Sequence, residues 1–412
     1  MKILHISTRL ILGGSQENTV LSCEGQARDG HDVHLAYGPI HGPEGTMRPR
    51  VEAFRTDDGR GITLHEVPDM IREVDLKRDR QCLRQLRQLI RELQPDIVHT
   101  HSSKAGVLGR LAAWREGGRK GKFGVVHTVH GPPFHDFESM KRNAIYIMAE
   151  RHAAKRCHCI VTVCDMMQTQ YLANRIGTDD QYRTVYSGVD LTPYENPVDD
   201  ERRRAAREKH GLPQDAFVIG TVARIAELKG HEDLVIALRP KLRKEPSWHM
   251  FWVGDGWLRE SLESRLRNEG MKDRVTITGM ISSEQIPDAI AAMDVLVHPS
   301  YREGLPRVVV QAQLSGVPVV AHGVDGTPEA VLDPVTGRLV TAGDHLGLRE
   351  AVTWVYQHRE KALKGAMLGR EACLPRFGAE TMVRELQSVY DDVLASISTR
   401  KPRPKTRSAA AI

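Results

Sequence analysis

The sequence predicts an α/β protein built from two successive units, each with a parallel sheet and flanking helices. Short apolar runs alternate repeatedly with longer amphipathic stretches along the 412 residues, as expected where strands alternate with helices. The pattern restarts near residue 217, and the chain is too long for one ordinary core. Two units therefore explain the sequence better than one large sheet.

In the first half, six short apolar runs predict strands at Ile3–Ile6, Val33–Tyr37, Ile62–Leu64, Asp96–His99, Val125–Val129 and Ile160–Val163. The amphipathic stretches between them predict helices that include Gln16–Ala27, Asp79–Leu93 and Lys104–Trp114. A further run, Thr184–Tyr186, precedes a turn-rich segment and a charged stretch. These features put the boundary between the two units within residues 190–215.

In the second half, five runs predict strands at Phe217–Ala223, His249–Val253, Val275–Ile277, Val295–His298 and Val317–Ala321. Helices are predicted at His231–Leu238, Trp257–Asn268, Glu284–Ala291 and Val308–Leu314, with a last amphipathic stretch at Ala379–Ser396. The domains are accordingly predicted as residues 1–190, 191–375 and a terminal helix at 376–398. Residues 399–412 are basic, lack a core pattern and are predicted to be disordered.

Composition excludes several classes of protein. With 40% hydrophobic and 27% charged residues the chain is a globular protein rather than a disordered one. No run of 18 apolar residues predicts a membrane span, and the first residues resemble a strand more than a signal peptide. Six scattered cysteines then indicate reduced thiols in a cytoplasmic protein. A net charge of +5 and 5% aromatic residues give little support to nucleic-acid binding.

Three polar clusters follow predicted strands of the first half. Gly13 and Gly14 lie between the first strand and a helix, where backbone N–H groups favour anionic or hydroxyl-rich ligands. The segment 99–106 and His130 each follow a strand, at the edge of a parallel sheet where ligands usually bind. A tight turn without a ligand and ordinary surface histidines explain the same residues, so both interpretations stay open.

The second half contains two more such clusters. Arg224 and Lys229 flank a predicted strand–helix turn, and together they could bind one diphosphate. Glu303 lies in a glycine-containing turn before a helix predicted to begin near Leu305 or Pro306, and in that turn it could accept hydrogen bonds from sugar hydroxyls. Gln311 follows in that helix. Solvated charges at a helix start are the alternative for Arg224 and Lys229.

Two other patterns have simpler explanations. Cys157, Cys159 and Cys164 match no standard zinc spacing and are interpreted as structural thiols in and beside a strand. The stretch 77–93 combines an apolar face with four arginines, which is compatible with contact to an anionic membrane. A helix that faces the core and has a solvated basic edge gives the same pattern.

Taken in order, these motifs resemble the nucleotide-sugar-dependent glycosyltransferases of family four. The resemblance covers nearly all of the chain except the basic tail, and it rests on the Gly13-Gly14 loop, the segment 99–106, His130-Gly, the segment 187–190, Arg224 with Lys229, and Glu303-Gly-Leu-Pro. It implies a GT-B fold, in which two Rossmann-like domains with parallel sheets face a central cleft and the last helix crosses back to the first domain. It also implies transfer with retention of configuration.

The resemblance further implies roles for individual residues. Arg224 and Lys229 would bind the donor diphosphate, and Glu303 would contact the sugar hydroxyls, assisted by the backbone of Gly304 and Leu305. His130 would lie beside the reacting sugar, and Gly13 and Gly14 would shape the donor site. The residues that it puts on the acceptor side are His101, Ser102, Ser103 and Lys104.

At position 311 the chain departs from the family pattern, because Gln311 replaces a glutamate that normally binds the ribose. No Asp-x-Asp triplet is present, so the expected enzyme needs no metal and no cofactor beyond its sugar donor. The expected partners are a nucleotide sugar, a hydroxyl-bearing glycan or lipid-linked acceptor, and an anionic membrane surface. A non-catalytic nucleotide-sugar binding protein, a sugar-nucleotide epimerase and a dinucleotide-dependent oxidoreductase are the alternatives.

Overall fold

The computed structural model describes residues 1–40 and 45–399, and these form two compact units. Unit 1 comprises Met1–Thr162, Tyr171–Arg183 and the described residues from Val383 onward. Unit 2 comprises Val163–Gln170 and Thr184–Met382. Each unit contains one sheet and its helices, so the predicted two-unit α/β class is confirmed.

The sheet of unit 1 has seven strands in the order β3-β2-β1-β4-β5-β6-β7, and neighbouring strands from β3 to β6 are parallel. Its strands are β1 (Lys2–Ser7), β2 (Asp32–Tyr37), β3 (Thr63–Glu66), β4 (Ile97–His101), β5 (Gly124–Val129), β6 (Cys159–Thr162) and β7 (Tyr182–Thr184). The helices of this part of the chain are α1 (Gly14–Arg28), α2 (Arg48–Ala53), α3 (Leu76–Leu93), α4 (Ser103–Glu116), α5 (Met140–Ala154) and α6 (Asp165–Ala173). The strand order reverses between β1 and β4, which is the position where ligands bind in open parallel sheets.

The sheet of unit 2 has six strands in the order β10-β9-β8-β11-β12-β13, all paired in parallel. Its strands are β8 (Phe217–Val222), β9 (Trp248–Val253), β10 (Val275–Ile277), β11 (Val295–His298), β12 (Val319–His322) and β13 (Arg338–Val340). The remaining helices are α7 (Asp200–Lys209), α8 (His231–Lys244), α9 (Arg259–Asn268), α10 (Ile286–Ala291), α11 (Arg307–Leu314), α12 (Thr327–Ala330), α13 (His345–Gln357), α14 (Arg359–Cys373) and α15 (Ala379–Thr399). In this sheet the order reverses between β8 and β11.

The division between the units differs in position from the predicted one. The main segment of unit 2 begins at Thr184 rather than at 191, and it extends to Met382 rather than to 375. The reason lies in Val189, whose N–H donates to the Phe377 carbonyl at 2.8 Å and whose carbonyl accepts from the Ala379 N–H at 2.9 Å. The helix predicted at 376–398 is α15, and its residues from Val383 belong to unit 1. The predicted tail lies outside the described residues beyond Thr399.

A short segment between β6 and the middle of α6 belongs to unit 2 although the chain on both sides belongs to unit 1. The two carboxylate oxygens of Glu329 accept hydrogen bonds from the backbone N–H groups of Asp165 and Met166, both at 2.9 Å. A carboxylate at the first turn of a helix satisfies donors that have no partner within the helix. Gln170 also donates to the Asp325 carboxylate at 2.8 Å.

Helix α3 agrees with the core-facing interpretation of the basic stretch 77–93. Its apolar face is buried in unit 1 through Cys82, Leu86 and Ile90, and it packs against α4. Arg87 and Arg91 lie within ion-pair distance of Glu116, at 2.5 and 3.8 Å. The helix therefore faces the core with a basic outer edge.

Two further findings concern membrane-spanning helices and the cysteine thiols. Within residues 1–40 and 45–399, no helix combines the length and apolarity that crossing a bilayer requires. The six cysteines are all buried and none is in a disulfide. Burial raises the pKa of the Cys159 and Cys164 thiols to about 12, which keeps them protonated.

Candidate functional site

In unit 2 the loops after β8 and β11 meet where the strand order reverses. Gly230 ends the first loop with φ = 73°, and a Cβ atom there would lie 2.0 Å from the carbonyl oxygen of Pro299. The Tyr301 N–H donates to the Leu228 carbonyl at 2.8 Å, and the Ser300 hydroxyl donates to the same oxygen at 3.2 Å. Only glycine permits this approach, so the two loops are held in contact.

This contact brings Lys229 and Glu303 together. The Lys229 ammonium nitrogen lies 2.7 Å from Oε1 of Glu303, and Nε2 of His298 lies 3.0 Å from the same oxygen. The Glu303 N–H in turn donates to the Asp325 carboxylate at 2.7 Å. Burial alone would raise the pKa of Glu303, but Lys229 and His298 hold that pKa well below its usual range. Glu303 is thus a carboxylate that can only accept hydrogen bonds.

Arg224 lies on the same loop, directly after β8. Its guanidinium carbon is 5.9 Å from the ring centre of Trp257, whose indole N–H donates to Glu227 at 2.7 Å. The loop after β9 packs closely here, because a Cβ at Gly254 would lie 2.2 Å from the Ala223 carbonyl oxygen. Arg224 and Lys229 therefore flank one short loop that is fixed from two sides.

The helix after Glu303 begins within two residues of its predicted start. Gly304 and the buried Leu305 precede α11, which starts at Arg307 after Pro306, so neither residue belongs to the helix. The Gly304 carbonyl accepts from the Gly326 N–H at 3.1 Å. Gln311 lies on the second turn of α11, with 9% of its surface exposed.

The histidines of unit 1 come together at its own reversal point. His99 and His101 are two residues apart on β4 and therefore lie on one face, and His5 of β1 is in register with His99. Nδ1 of His5 lies 2.9 Å from Nε2 of His101, and Nδ1 of His101 lies 3.1 Å from Nε2 of His130. The half-buried His130 follows β5 and is the outermost of this set.

Burial lowers the pKa of His5 to about 4 and holds the pKa values of His99 and His101 well below their usual range. The charges of neighbouring histidines add to the effect on His99 and His101. These rings are consequently neutral near pH 7.

A metal ion is the other group that such a cluster could hold. One nitrogen from each of His5, His99 and His101 lies within 4.8 Å of the others. However, both nitrogens of every one of these rings already have a hydrogen-bond partner among the described residues. A metal ion would have to displace those bonds.

The other predicted residues of unit 1 lie at the starts of helices α1 and α4. Gly13 and Gly14 are exposed at the start of α1. Ser102 joins β4 to α4 with φ = 61°, and its hydroxyl lies 2.8 Å from that of Thr8, which follows β1. Ser103 begins α4. Lys104 pairs with Asp79 of α3 at 2.5 Å, so its ammonium group is directed towards that helix.

Known families match both units of the chain. A family model described as Glycosyltransferase Family 4 matches residues 12–193, and one described as Glycosyl transferases group 1 matches residues 216–358. The D-inositol 3-phosphate glycosyltransferase of Xylanimonas cellulosilytica is 30% identical over 323 residues, covering 74% of this chain and 73% of that protein. The chain belongs to glycosyltransferase family four. The predicted resemblance is confirmed.

Two further relatives of this glycosyltransferase are informative. The UDP-Gal:alpha-D-GlcNAc-diphosphoundecaprenol alpha-1,3-galactosyltransferase of Escherichia coli is 29% identical over 355 residues, covering 84% of this chain and 85% of that protein. HepE of Anabaena, solved in complex with UDP and glucose, superimposes with a TM-score of 0.79 at 20% identity, covering 95% of this chain and 99% of that one. This likeness confirms the predicted GT-B fold.

Sequence reasoning missed several residues that support the predicted ones. His298 and Asp325 fix Glu303, and His5 and Gln26 continue the contacts of His101. A signal existed for the histidines, since a polar residue inside an otherwise buried strand must find a partner. Gln26 gave no such signal, because its partners come from distant parts of the chain.

Proposed function

We propose that this glycosyltransferase transfers a hexose, with retention of configuration, from a nucleoside-diphosphate sugar to a hydroxyl group. The observation that carries the proposal is the Lys229–Glu303 ion pair at the reversal point of the unit 2 sheet, with Arg224 on the same loop. A diphosphate and a sugar need cations and a hydrogen-bond acceptor side by side, and this loop pair has both.

The diphosphate is the leaving group of the proposed reaction. As the bond between the sugar and the diphosphate breaks, negative charge develops on the diphosphate oxygens and positive charge on the sugar. Arg224 and Lys229 stabilise the negative charge, because fixed cations in a partly buried site need no reorganisation when the reaction occurs. Glu303 keeps Lys229 in position while the donor site is empty.

Glu303 has a second role in the proposal. Its carboxylate accepts hydrogen bonds from hydroxyl groups of the donor sugar, and its low pKa ensures that it never competes as a donor. His130 lies beside the reacting sugar, and Gly13 and Gly14 leave room for the donor because they carry no side chain. The acceptor-side group of the proposal is His101, Ser102, Ser103 and Lys104.

Uridine is the base that we propose for the donor. The E. coli relative is named for a UDP-sugar, and HepE was solved with UDP. Gln311 takes the position of the ribose-binding glutamate. A neutral hydrogen bond contributes about 1 kcal/mol less than a charge-assisted one. The glutamine in place of glutamate therefore weakens donor binding by about fivefold without abolishing it.

Thermal-shift titration with UDP, GDP, ADP and NAD, without added metal, tests the proposal. We expect a selective rise in Tm with UDP, because a ligand of the native state stabilises it. Arg224→Met and Lys229→Met should each abolish most of that rise. Lys209→Met is the matched control, since it breaks an exposed ion pair of unit 2 with Asp288. A selective response to NAD, or normal UDP binding by both site variants, would overturn the proposal.

The second candidate function is binding of a nucleotide sugar without transfer of the sugar, and the neutral Gln311 is the observation that favours it. Incubation with UDP-glucose and UDP-galactose distinguishes the possibilities by product analysis. Transfer or slow donor hydrolysis supports the transferase, an isomerised donor indicates an epimerase, and intact donor with measurable binding indicates a non-catalytic protein.

Metal independence is part of the proposal, because the cations at the diphosphate are side chains. We expect donor hydrolysis by the purified enzyme to continue at an unchanged rate in excess EDTA. Loss of the activity in EDTA and its recovery with Mg²⁺ or Mn²⁺ would refute metal independence while leaving the transferase intact.

A lipid-linked acceptor would bring the enzyme to a membrane surface, and unit 1 offers a suitable patch. Phe137, Met140, Ile145 and Met148 are all more than half exposed on and before α5, beside Lys141 and Arg142. Apolar side chains flanked by cations suit an anionic bilayer better than the arginines of α3 alone. We expect binding to anionic vesicles at low salt, weakened by Ile145→Asp. No binding to such vesicles would exclude the contact.

A further inference from the structure

A chain of hydrogen bonds connects His130 to the interior of unit 1. It runs from Gln26 through His5 and His101 to His130, and we call these four residues the histidine chain. Its three contacts measure 2.7, 2.9 and 3.1 Å from the inside outwards. Gln26, His5 and His101 are at most 1% exposed, so water does not take part in these bonds.

Gln26 sets the direction of these bonds. Its amide nitrogen donates to the Tyr390 hydroxyl at 3.1 Å, which leaves the amide oxygen facing Nε2 of His5. Because an amide oxygen can only accept, Nε2 of His5 must carry the proton.

Each later bond follows from the one before it. A neutral His5 that is protonated at Nε2 has a lone pair on Nδ1, so Nε2 of His101 donates to it. The same reasoning makes Nδ1 of His101 an acceptor, and Nε2 of His130 donates to it. The lone pair of His130 is then on Nδ1.

A second branch starts from the same Gln26 amide group. The Tyr390 hydroxyl accepts from Gln26 and so donates to Nδ1 of His99, at 2.6 Å, and Nε2 of His99 then donates to the Thr128 hydroxyl at 2.7 Å. Burial also keeps the rings of His5, His99 and His101 neutral. The order of donors and acceptors requires this, because each ring must carry a proton on only one nitrogen. A fully paired buried network of this kind has a strongly preferred arrangement.

We propose that Gln26, acting through His5 and His101, is a positioning residue that fixes His130 as the tautomer protonated at Nε2. In this tautomer Nδ1 carries the lone pair and can only accept a hydrogen bond. A role for that nitrogen towards a substrate hydroxyl rests on the proposed function, whereas the tautomer itself depends only on unit 1.

Nitrogen-15 NMR of the full chain with labelled histidine tests the proposal directly, since protonated and bare ring nitrogens resonate far apart. His130→Gln identifies the His130 signals. We expect a protonated Nε2 and a bare Nδ1 in the wild type at pH 7.5. A wild-type His130 protonated at Nδ1 overturns the proposal, and the His130→Gln variant serves only to identify the signals.

A variant of Gln26 tests whether this residue sets the donor and acceptor roles along the histidine chain. Gln26→Met removes the acceptor, so both His130 tautomers should appear. His34→Gln is the matched control, because it breaks a 2.9 Å bond between His34 and His65 in the same sheet, outside the chain of bonds. An unchanged His130 spectrum in Gln26→Met, or a mixed one in His34→Gln, overturns the proposal.

Two accompanying measurements separate the possible failures. Metal analysis of the same sample comes first, because one zinc ion per chain would mean that the rings are ligands and would overturn the tautomer proposal. UDP binding is measured alongside and reports on unit 2. Absence of UDP binding contradicts the proposed function, while the His130 spectrum still decides the tautomer.

Discussion

Neutralising Glu303 should destabilise unit 2 in a way that depends on pH. Glu303 pairs with Lys229 at 2.7 Å, and their side chains are 14% and 31% exposed. Exposed pairs contribute about 0–1 kcal/mol and breaking a buried pair costs about 3–5 kcal/mol, so this partly buried pair falls near 2 kcal/mol. Glu303→Gln should therefore lower the Tm of unit 2 by about 4–8 °C at pH 7.

The pH dependence follows from the direction of the pKa shift. The pKa of Glu303 is lowered from 4.5, so its stabilisation is complete above pH 4.5 and is lost as the pH falls towards the lower folded value. The difference in unfolding free energy between wild type and Glu303→Gln should shrink between pH 5 and pH 3. Urea unfolding followed by tryptophan fluorescence measures it, because four of the five tryptophans lie in unit 2.

A matched control separates the ion pair from a general charge effect. Asp288→Asn removes the carboxylate that pairs with Lys209 at 2.9 Å, where the two side chains are 44% and 47% exposed, and should change stability by less than about 1 kcal/mol. Equal losses in the two variants, or a Glu303→Gln effect that is constant with pH, would refute the reasoning.

The other predictions concern backbone contact, buried histidines and thiols. Gly230→Ala should destabilise unit 2 by about 3 kcal/mol and abolish UDP binding, because its Cβ would meet Pro299. Gly211→Ala, also at positive φ but with nothing within 4 Å, should cost only about 1 kcal/mol in the same urea assay. Unit 1 should lose stability as the pH falls from 6.5 towards 4, because His5 and its neighbours stay neutral when folded, and hydrogen exchange by residue measures this. The six buried cysteines should react with a thiol reagent at pH 8 only after unfolding, and fast reaction of the native chain would contradict their burial.

The strands were easier to predict than the helices. Every strand predicted in unit 2 overlaps an observed one, and the central strands stand out as apolar runs because they are buried on both faces. The short edge strand β13 (Arg338–Val340) is half-buried and was missed. Helix α5 was also missed, since Ile145 and Met148 are exposed and blur its helical period.

The candidate residues of each unit also differed in how well local sequence pattern predicts their contacts. Glu303, Lys229 and Arg224 lie in the loops that follow strands β8 and β11, so their position at a sheet edge could be predicted from local pattern. The contact between Lys229 and Glu303 depends on how closely Gly230 approaches Pro299, which spacing does not reveal. Local pattern likewise could not connect residues that are hundreds of positions apart, such as Gln26 and Tyr390.

The passage of the chain between the units limits how the protein can be divided. The chain changes unit four times, at residues 162, 170, 183 and 382. A fragment cut at 191 and 375 would lack the segment whose N–H groups occupy the Glu329 carboxylate, and it would expose that carboxylate without partners. Neither unit can therefore be exchanged between relatives as one continuous stretch of sequence. An exchange of unit 2 needs at least two separate stretches to be transferred together.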